Sequence, residues 1–552
     1  MRVYTLTAVL LLITGFRLII PTRGADRHPS FADTAARSKI AYVTNNGFTG
    51  RKYFPQPMCG GVAILDFDDD GWMDIFFTNG SAFPEMKKTD ASFHHCLLRN
   101  RRDGTFEDVT RKAGLSGETL GYSFGAAAGD YDNDGHTDLI VTNAKDNTLY
   151  HNNGDGTFTD VTAGSGLGTK PAGTLSVQAA WIDFDNDGLL DLVISDYTVW
   201  TPQMDRRCAR GDQEMYCTPK TYADVPQRLY RNRGGGKFED VTEESGFGKA
   251  PGKGMGIAIA DVNNDGRLDV FIANDTAKNL LFLNQGGGHF QEAGLLFGVA
   301  YNENGTTVSG MGSDLKDIDN DGWPDIFYND LMGQIWGLFR NRGGKSFQYV
   351  SPAWKIARLS APYSGWGGGF VDYDNDGWKD LFSANGDVDN LTASSPQHDT
   401  LFRNMEGKEF SDISTQMGAD FLRIGYQRGS AFADLNNDGF PDIVVTSLLQ
   451  KPRILMNSAA TGNHWLLVEP TGSRSNRDGI GAKLKLTTAS GRTLYSHVTP
   501  SGGFLSSNDR RVHFGLGPEI EIRSLEILWP SGTIQTLTDI KSDRILHVNE
   551  PR

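Results

Sequence analysis

Short apolar runs, each bounded by clusters of Gly, Asp and Asn, dominate the chain from about residue 60 to about residue 460. Some are rich in small residues, such as Gly61-Val62-Ala63-Ile64-Leu65 and Gly256-Ile257-Ala258-Ile259-Ala260. Across an acidic turn each is followed by a second run, such as Ile75-Phe76-Phe77, Leu139-Ile140-Val141 or Ile443-Val444-Val445. A third element has the form L-x-x-N: Leu97–Asn100, Leu149–Asn152, Leu229–Asn232, Leu281–Asn284, Leu338–Asn341, Leu401–Asn404 and, as a variant, Ile454–Asn457. A Gly-rich turn then leads to a segment like Phe106–Thr110, Phe158–Thr162 or Phe238–Thr242, degenerate at Phe290, Phe347 and Phe410. Apolar runs of this length between turn formers predict strands, four to a unit.

The unit recurs. The acidic turn D-x-[DN]-x-D-G-x-x-D begins at Asp66, Asp130, Asp183, Asp261, Asp317, Asp372 and Asp434. Self-similarity at this period marks a repeat fold, and four-stranded units repeated radially describe a β-propeller. The expected architecture is all-β: a seven-bladed propeller over residues 26–460, followed by a β-sandwich-like domain over 461–552. The Gly/Ala-rich strand belongs nearest the axis, where blades converge. A β-solenoid is the rival, but its coils are much shorter. No F-x-D-V-T-like strand follows Asn457, whereas Phe31-Ala32-Asp33-Thr34 matches one. The N-terminus is therefore expected to supply the outer strand of the last blade and close the ring, leaving no open edge. In the tail, apolar and polar residues alternate over Ala482–Leu486 and Leu525–Trp529, as in half-buried strands. The tail is expected to be separable, its removal leaving the ring folded.

The turn motif carries the candidate chemistry. Positions 1, 3, 5 and 9 are Asp66, Asp68, Asp70 and Asp74; Asp130, Asp132, Asp134 and Asp138; Asp183, Asp185, Asp187 and Asp191; Asp261, Asn263, Asp265 and Asp269; Asp317, Asp319, Asp321 and Asp325; Asp372, Asp374, Asp376 and Asp380; and Asp434, Asn436, Asp438 and Asp442. Alternate carboxylates with Gly at position 6 form an oxygen cage for a hard cation, as in the first half of an EF-hand loop, but here between strands. Polar turns without metal use the same residue types. Like charges packed this closely repel by about 4 kcal/mol per pair at 4 Å for an effective dielectric of 20. Ca²⁺, about one per blade and up to seven, is therefore the expected cofactor; Mg²⁺ prefers octahedral geometry and keeps its waters.

Charge and motifs narrow the function classes. The net charge of −15 argues against nucleic acid. A glycosidase pair needs two carboxylates facing a cleft with divergent pKa values, whereas these clusters repeat, each with its own turn glycine. No HExxH, G-x-S-x-G or zinc-like Cys/His spacing is present. Residues 1–25 read as an export signal: Arg2, then an apolar run from Tyr4 to Phe16 interrupted by Arg17, too short for a comfortable span. An uncleaved anchor is the alternative. Export to an extracellular or periplasmic space permits disulfides. Cys208 and Cys217 bracket a short loop and are expected to pair; Cys59 and Cys96 either pair or stay as small buried thiols.

These repeats resemble FG-GAP (VCBS-type) repeats, the units of the integrin α-chain propeller, with Phe124-Gly125, Gly129 and the Asp130 loop carrying the pattern. Asn463-His464-Trp465-Leu466, Ser475-Asn476-Arg477, Ile480-Gly481-Ala482, Ser501-Gly502-Gly503, His513-Phe514-Gly515-Leu516-Gly517 and Trp529-Pro530-Ser531-Gly532 resemble an ASPIC/UnbV domain. The combination resembles the cartilage acidic protein family. The resemblance implies an extracellular calcium-binding protein, with metal loops bracing one face and partners on the other.

Insertions fall on that second face: residues 196–228 with Tyr197, Trp200 and the cysteine loop, and residues 79–96 and 385–400. Tyr301, Trp336, Trp354 and Tyr363 also fall there. Loop aromatics on a rigid scaffold either bind sugar or protein, or pack the loops down. The cysteine loop holds Arg210-Gly211-Asp212, and Asn79, Asn274, Asn304 and Asn390 head glycosylation sequons. The expected function is an extracellular binding or adhesion module for protein or glycan. The alternative is a carbohydrate-active lyase or dehydratase on the same scaffold.

Overall fold

A computed structural model describes residues 30–167, 170–389, 392, 394–458 and 461–552. The expected export signal and the Asn390 sequon lie outside the described residues. The chain is all-β and propeller-like, and its described residues form seven four-stranded antiparallel sheets. The first comprises Val62–Leu65, Asp74–Phe77, Cys96–Asn100 and Phe106–Asp108, in that order from inner to outer edge. The inner strands of the second to seventh sheets are Ser123–Gly129, Thr174–Ile182, Gly254–Ala260, Ser313–Lys316, Gly365–Val371 and Gln427–Ala433. Each inner strand packs against that of the next sheet, and the seventh against the first. The outer edge of the seventh sheet is Phe31–Asp33, antiparallel to Arg453–Asn457 with Phe31 opposite Asn457.

Small residues line the inner strands because backbone passes directly over them. A Cβ on Gly312 would lie 2.4 Å from the Trp366 carbonyl oxygen, and one on Gly61 would lie 2.5 Å from that of Phe124. Bulk is carried one layer out, where Ile75, Phe76, Leu97 and Leu98 are buried.

The tail forms two further sheets. One is three-stranded, with His464–Thr471 between Val512–Gly517 and Arg544–Asn549; the other is centred on Lys483–Thr488 and Glu521–Leu528. Ala482, Leu484, Leu486, Leu525, Ile527 and Trp529 are buried as their alternation implies. This core is continuous with that of the second, third and fourth sheets, and Leu268 lies directly against Gly481 of the tail.

The sequence suggests a separable tail; in the structure the tail packs into the repeat array. It sits over the acidic-turn side, and its segment 501–509 enters the space between the inner strands. There the Ile64 amide donates to the Ser507 carbonyl (3.0 Å), Ser507 to Val62 (2.9 Å), Ala126 to Leu505 (3.2 Å) and Gly503 to Ser313 (2.8 Å). Phe504 and Leu505 are fully buried, Phe504 edge-on to Trp366 with ring centroids 5.1 Å apart. Gly- and Ser-rich sequence here serves close backbone approach rather than a solvated loop.

Candidate metal loops and the opposite face

All seven acidic turns adopt one conformation. At position 1, Asp66 accepts from the Asp70 amide through Oδ1 (3.0 Å) and from the Gly71 amide through Oδ2 (2.8 Å); the same pair recurs at Asp317 with Asp321 (3.2 Å) and Gly322 (2.8 Å). Position 9 is the buried anchor. Asp325 takes the Asn341 amide on Oδ1 (2.7 Å) and the Ile318 amide on Oδ2 (3.1 Å). The Asn of each L-x-x-N element thus orients a loop carboxylate through its backbone. Its side chain does something else: Asn341 Nδ2 donates to the Val262 carbonyl in the preceding sheet's loop (2.9 Å). Asn152 reaches Phe67 (2.9 Å), Asn457 reaches Tyr373 (2.8 Å), and Asn100 reaches Leu435 (2.7 Å), joining the first sheet to the seventh.

Position 4 adds a tie in the opposite sense. Asn133, Asn186, Asn264, Asn320, Asn375 and Asn437 all take left-handed backbone conformations, which Asn tolerates. Their amides donate to the turn-glycine carbonyl of the next loop, as Asn320 to Gly377 (3.0 Å) and Asn437 to Gly71 (3.0 Å). Asp69 occupies this position in the first loop and meets His136 Nδ1 at 2.5 Å instead. Read in sequence, these asparagines signal only a turn; their role needs the neighbouring loop to be in place.

The carboxylates converge. Ligand oxygens of Asp66, Asp68 and Asp70 lie within 4.8 Å of one another, as do those of Asp130, Asp132 and Asp138, of Asp183, Asp185 and Asp191, and of Asp317, Asp319 and Asp325. Burial, then the neighbouring Asp478, pushes Asp130 up to about 7; burial pushes Asp138 up to about 9 against the hydrogen bond from Asn152. A decisive feature is at position 3: Oδ1 of Asp68, Asp132, Asp185, Asp319 and Asp374 is buried with no hydrogen-bond partner. Five repeated buried acceptors without donors, each beside two or more carboxylates, fit a hard cation ligated by oxygen. Position 3 differs in the other two loops. Asn263 accepts from the Asp265 amide (3.1 Å) and donates to Asp265 Oδ2 (3.0 Å), and Asn436 treats Asp438 in the same way.

The opposite side carries the insertions. Cys208 and Cys217 form a disulfide, which staples the hairpin Cys208–Arg210/Gln213–Met215; Arg210, Gly211 and Asp212 are exposed at its tip. Cys59 and Cys96 are free and buried. Tyr197, Trp200 and Trp336 are buried, so they pack the loops onto the sheets; Tyr301, Trp354 and Tyr363 are partly exposed. Among the described sequon asparagines, Asn79 and Asn274 are buried and Asn304 is exposed. Beneath the hairpin lies a cavity of about 380 Å³, walled by Phe54, Met58, Met255, Met311, Trp366 and Val388. Its one carboxylate, Asp275, accepts from the Tyr197 hydroxyl (2.7 Å) and is pushed by burial up to about 6.

These features define an all-β, propeller-like repeat protein with acidic turns on one side, capped there by a second β-domain. The FG-GAP-like repeat model matches residues 66–141, 130–194, 210–272, 261–328, 317–383 and 382–445, and the ASPIC and UnbV model matches 472–552. The chain belongs to the FG-GAP-like repeat family and carries a C-terminal ASPIC and UnbV domain. It is similar to human cartilage acidic protein 1, 23% identical over 533 residues, covering 90% of this chain and 73% of the relative. The mouse protein is 24% identical over 512 residues, covering 87% and 71%. Among solved structures, a lectin from Agrocybe aegerita that recognises non-reducing terminal N-acetylglucosamine superposes with a TM-score of 0.41 at 15% identity, covering 71% of this chain and 86% of the lectin. A Bacillus licheniformis rhamnogalacturonan lyase gives 0.36 at 12% identity, covering 77% and 75%. No helix among the described residues is long and apolar enough to cross a membrane.

Proposed function

We propose that this protein is an exported calcium-binding propeller of seven blades that acts as a binding module for protein or carbohydrate. In this reading residues 1–25 are the export signal, residues 26–460 form a closed ring, and residues 461–552 cap it. The 28 residues at positions 1, 3, 5 and 9 of the seven loops supply the metal ligands. The observation that carries the metal assignment is the set of five buried, partnerless Oδ1 atoms at position 3. Bound calcium would neutralise converging carboxylates and brace the turns.

Because the tail covers the loop side, the partner surface is the hairpin side, with its cavity, its exposed Arg210-Gly211-Asp212 tip and its partly exposed Tyr301, Trp354 and Tyr363. The mostly apolar cavity, with a single carboxylate, favours recognition over lyase or dehydratase chemistry, which needs converging acid and base groups. The test is a glycan and extracellular-protein array probed with full-length protein in calcium and in chelator, together with thermal melts in both. Calcium-dependent capture and a higher melting temperature in calcium are expected. Extracellular sites of this kind bind at roughly 10⁻⁴–10⁻³ M, and several add their linkage terms. Identical melts with and without chelator would sink the metal reading; capture lost with the hairpin deleted would support the face assigned to the partner.

A further inference from the structure

The seven loops fall into two designs, and the division extends to a residue on another strand. The third residue of L-x-x-N is Arg99, His151, Arg231, Arg340 or Arg403 where position 3 is Asp, and Leu283 or Met456 where position 3 is Asn. In the first class the basic side chain approaches only one of the two oxygens of the position-3 carboxylate, while Arg340 and Arg403 also reach position 5 at Asp321 (3.0 Å) and Asp376 (2.9 Å), and His151 Nδ1 also lies 3.3 Å from Asp138 Oδ1. Arg99 Nε lies 2.6 Å from Asp68 Oδ2, Arg231 Nε 3.1 Å from Asp185 Oδ2, and Arg403 Nη2 3.0 Å from Asp374 Oδ2. Arg340 Nε contacts Asp319 Oδ2, and His151 Nδ1 lies 3.4 Å from Asp132 Oδ2. The other oxygen, Oδ1, is the partnerless one in all five. Asp319 and Asp374 are 7% and 5% exposed, so solvent does not serve these acceptors.

In the second class the side chain at position 3 satisfies itself against position 5, and the seat on the neighbouring strand is apolar. Counting positions 1, 3, 5 and 9 with the seat, four carboxylates with one guanidinium and three carboxylates with none leave the same formal charge; the Asp130 loop, seated by His151, is the exception, and Asp69, Arg267 and Lys379 add a charge within their own loops. Arg102 and Arg267 reach the position-5 carboxylates Asp70 and Asp265, one in each class, and Lys483 of the tail meets Asp261 Oδ2 (2.5 Å), so contacts at positions 5 and 1 do not distinguish the two.

We propose that position 3 of the loop and the third residue of L-x-x-N act as one coupled pair that sets the charge and the free oxygen of each metal site. The basic residue is a positioning residue: it holds Oδ2 so that Oδ1 faces the cation. The two designs are interchangeable solutions, and the mixed combinations are defective for opposite reasons. Asp with an apolar seat leaves an uncompensated carboxylate that destabilises the metal-free protein. Asn with a basic seat removes a ligand charge while keeping the opposing cation, and so weakens calcium binding. This rests on calcium being the ion at these loops.

The test uses full-length protein and the set D319N, R340L and D319N/R340L, with D374N, R403L and D374N/R403L as a second set should one fail to fold. Native mass spectrometry counts bound calcium at graded free calcium, and melts in chelator read the metal-free state. D319N should lose one bound ion at calcium levels that saturate wild type, on the order of a tenfold weaker site. R340L should melt lower in chelator. The double variant should recover both, since residues in contact couple. If the double variant instead shows the sum of the two defects in both sets, the pairing is refuted while the calcium sites stand. If wild type binds no calcium, the metal assignment fails with it.

Discussion

Substituting Phe504 by Ala tests whether the tail belongs to the core of the repeat array. The ring is fully buried against Trp366 within a cluster that also holds Met58, Phe124, Val177, Met255 and Met311. Truncating a buried Phe in such a setting costs about 3–5 kcal/mol. Unfolding entropy of about 2.1 cal/mol/K per residue gives roughly 1.1 kcal/mol/K for a chain of this size, so one cooperative transition should fall by about 3–5 °C. Differential scanning calorimetry in saturating calcium reads this, with Ile534→Ala as control because Ile534 is 66% exposed on the tail's own sheet. Six backbone hydrogen bonds between segment 501–509 and the inner strands tie the two parts, so a single peak should move as a whole. Two separate peaks, with only the smaller one shifted, would refute the claim that the segment is integral to the array.

Two further outcomes follow from local geometry. Glu550 accepts from the amides of Ser473 (2.8 Å), Arg474 (2.8 Å) and Ser475 (2.9 Å). Burial alone would raise its pKa, but these bonds and that from the Ser531 hydroxyl hold it down to about 2. Its contribution is complete above the unfolded value near 4.5 and disappears as pH falls through about 2. Glu550→Gln should therefore destabilise the tail at neutral pH, with the gap to wild type closing in that acid window; a gap independent of pH would count against the assignment. Thiol mapping of native protein should leave Cys208 and Cys217 unlabelled, with Cys59 and Cys96 labelled only after denaturation. Reducing the closed loop should cost at most about 2–3 kcal/mol and stay confined to the hairpin, read by proteolysis there.

Much of this architecture was legible because it repeats. The acidic turn, the L-x-x-N element and the Gly/Ala-rich inner strand each recur often enough to outweigh local ambiguity, and the absent outer strand after Asn457 pointed to Phe31. What could not be read lies in contacts between distant segments. Ser501-Gly502-Gly503 has the composition of an exposed loop, and nothing within it reveals that Ser313 and Ser507 pair alongside. Trp200 and Trp336 looked equally suited to an open binding surface; whether an aromatic on a loop faces outward depends on the neighbour that covers it. The asparagines at position 4 read as turn formers because their acceptors belong to the next repeat. The coupling of position 3 with the residue before Asn100 or Asn341 was present in the sequence, but gains meaning only when Oδ2 and guanidinium are seen to meet.

The pairing of Phe31–Asp33 with Arg453–Asn457 also bears on how the chain is made. A ribosome adds about 5–20 residues per second, so the first ordered strand leaves it roughly 20–90 s before its partner exists. Throughout that interval the outermost edge of the array has no owner, and the early strand must remain unattached without recruiting a second molecule. Its brevity helps: three residues, one of them Asp33, offer little surface for adventitious pairing. Completion of the array is thus deferred to the moment Ile454 to Asn457 emerge, and a nascent chain arrested before that point would expose the unfinished edge to quality control.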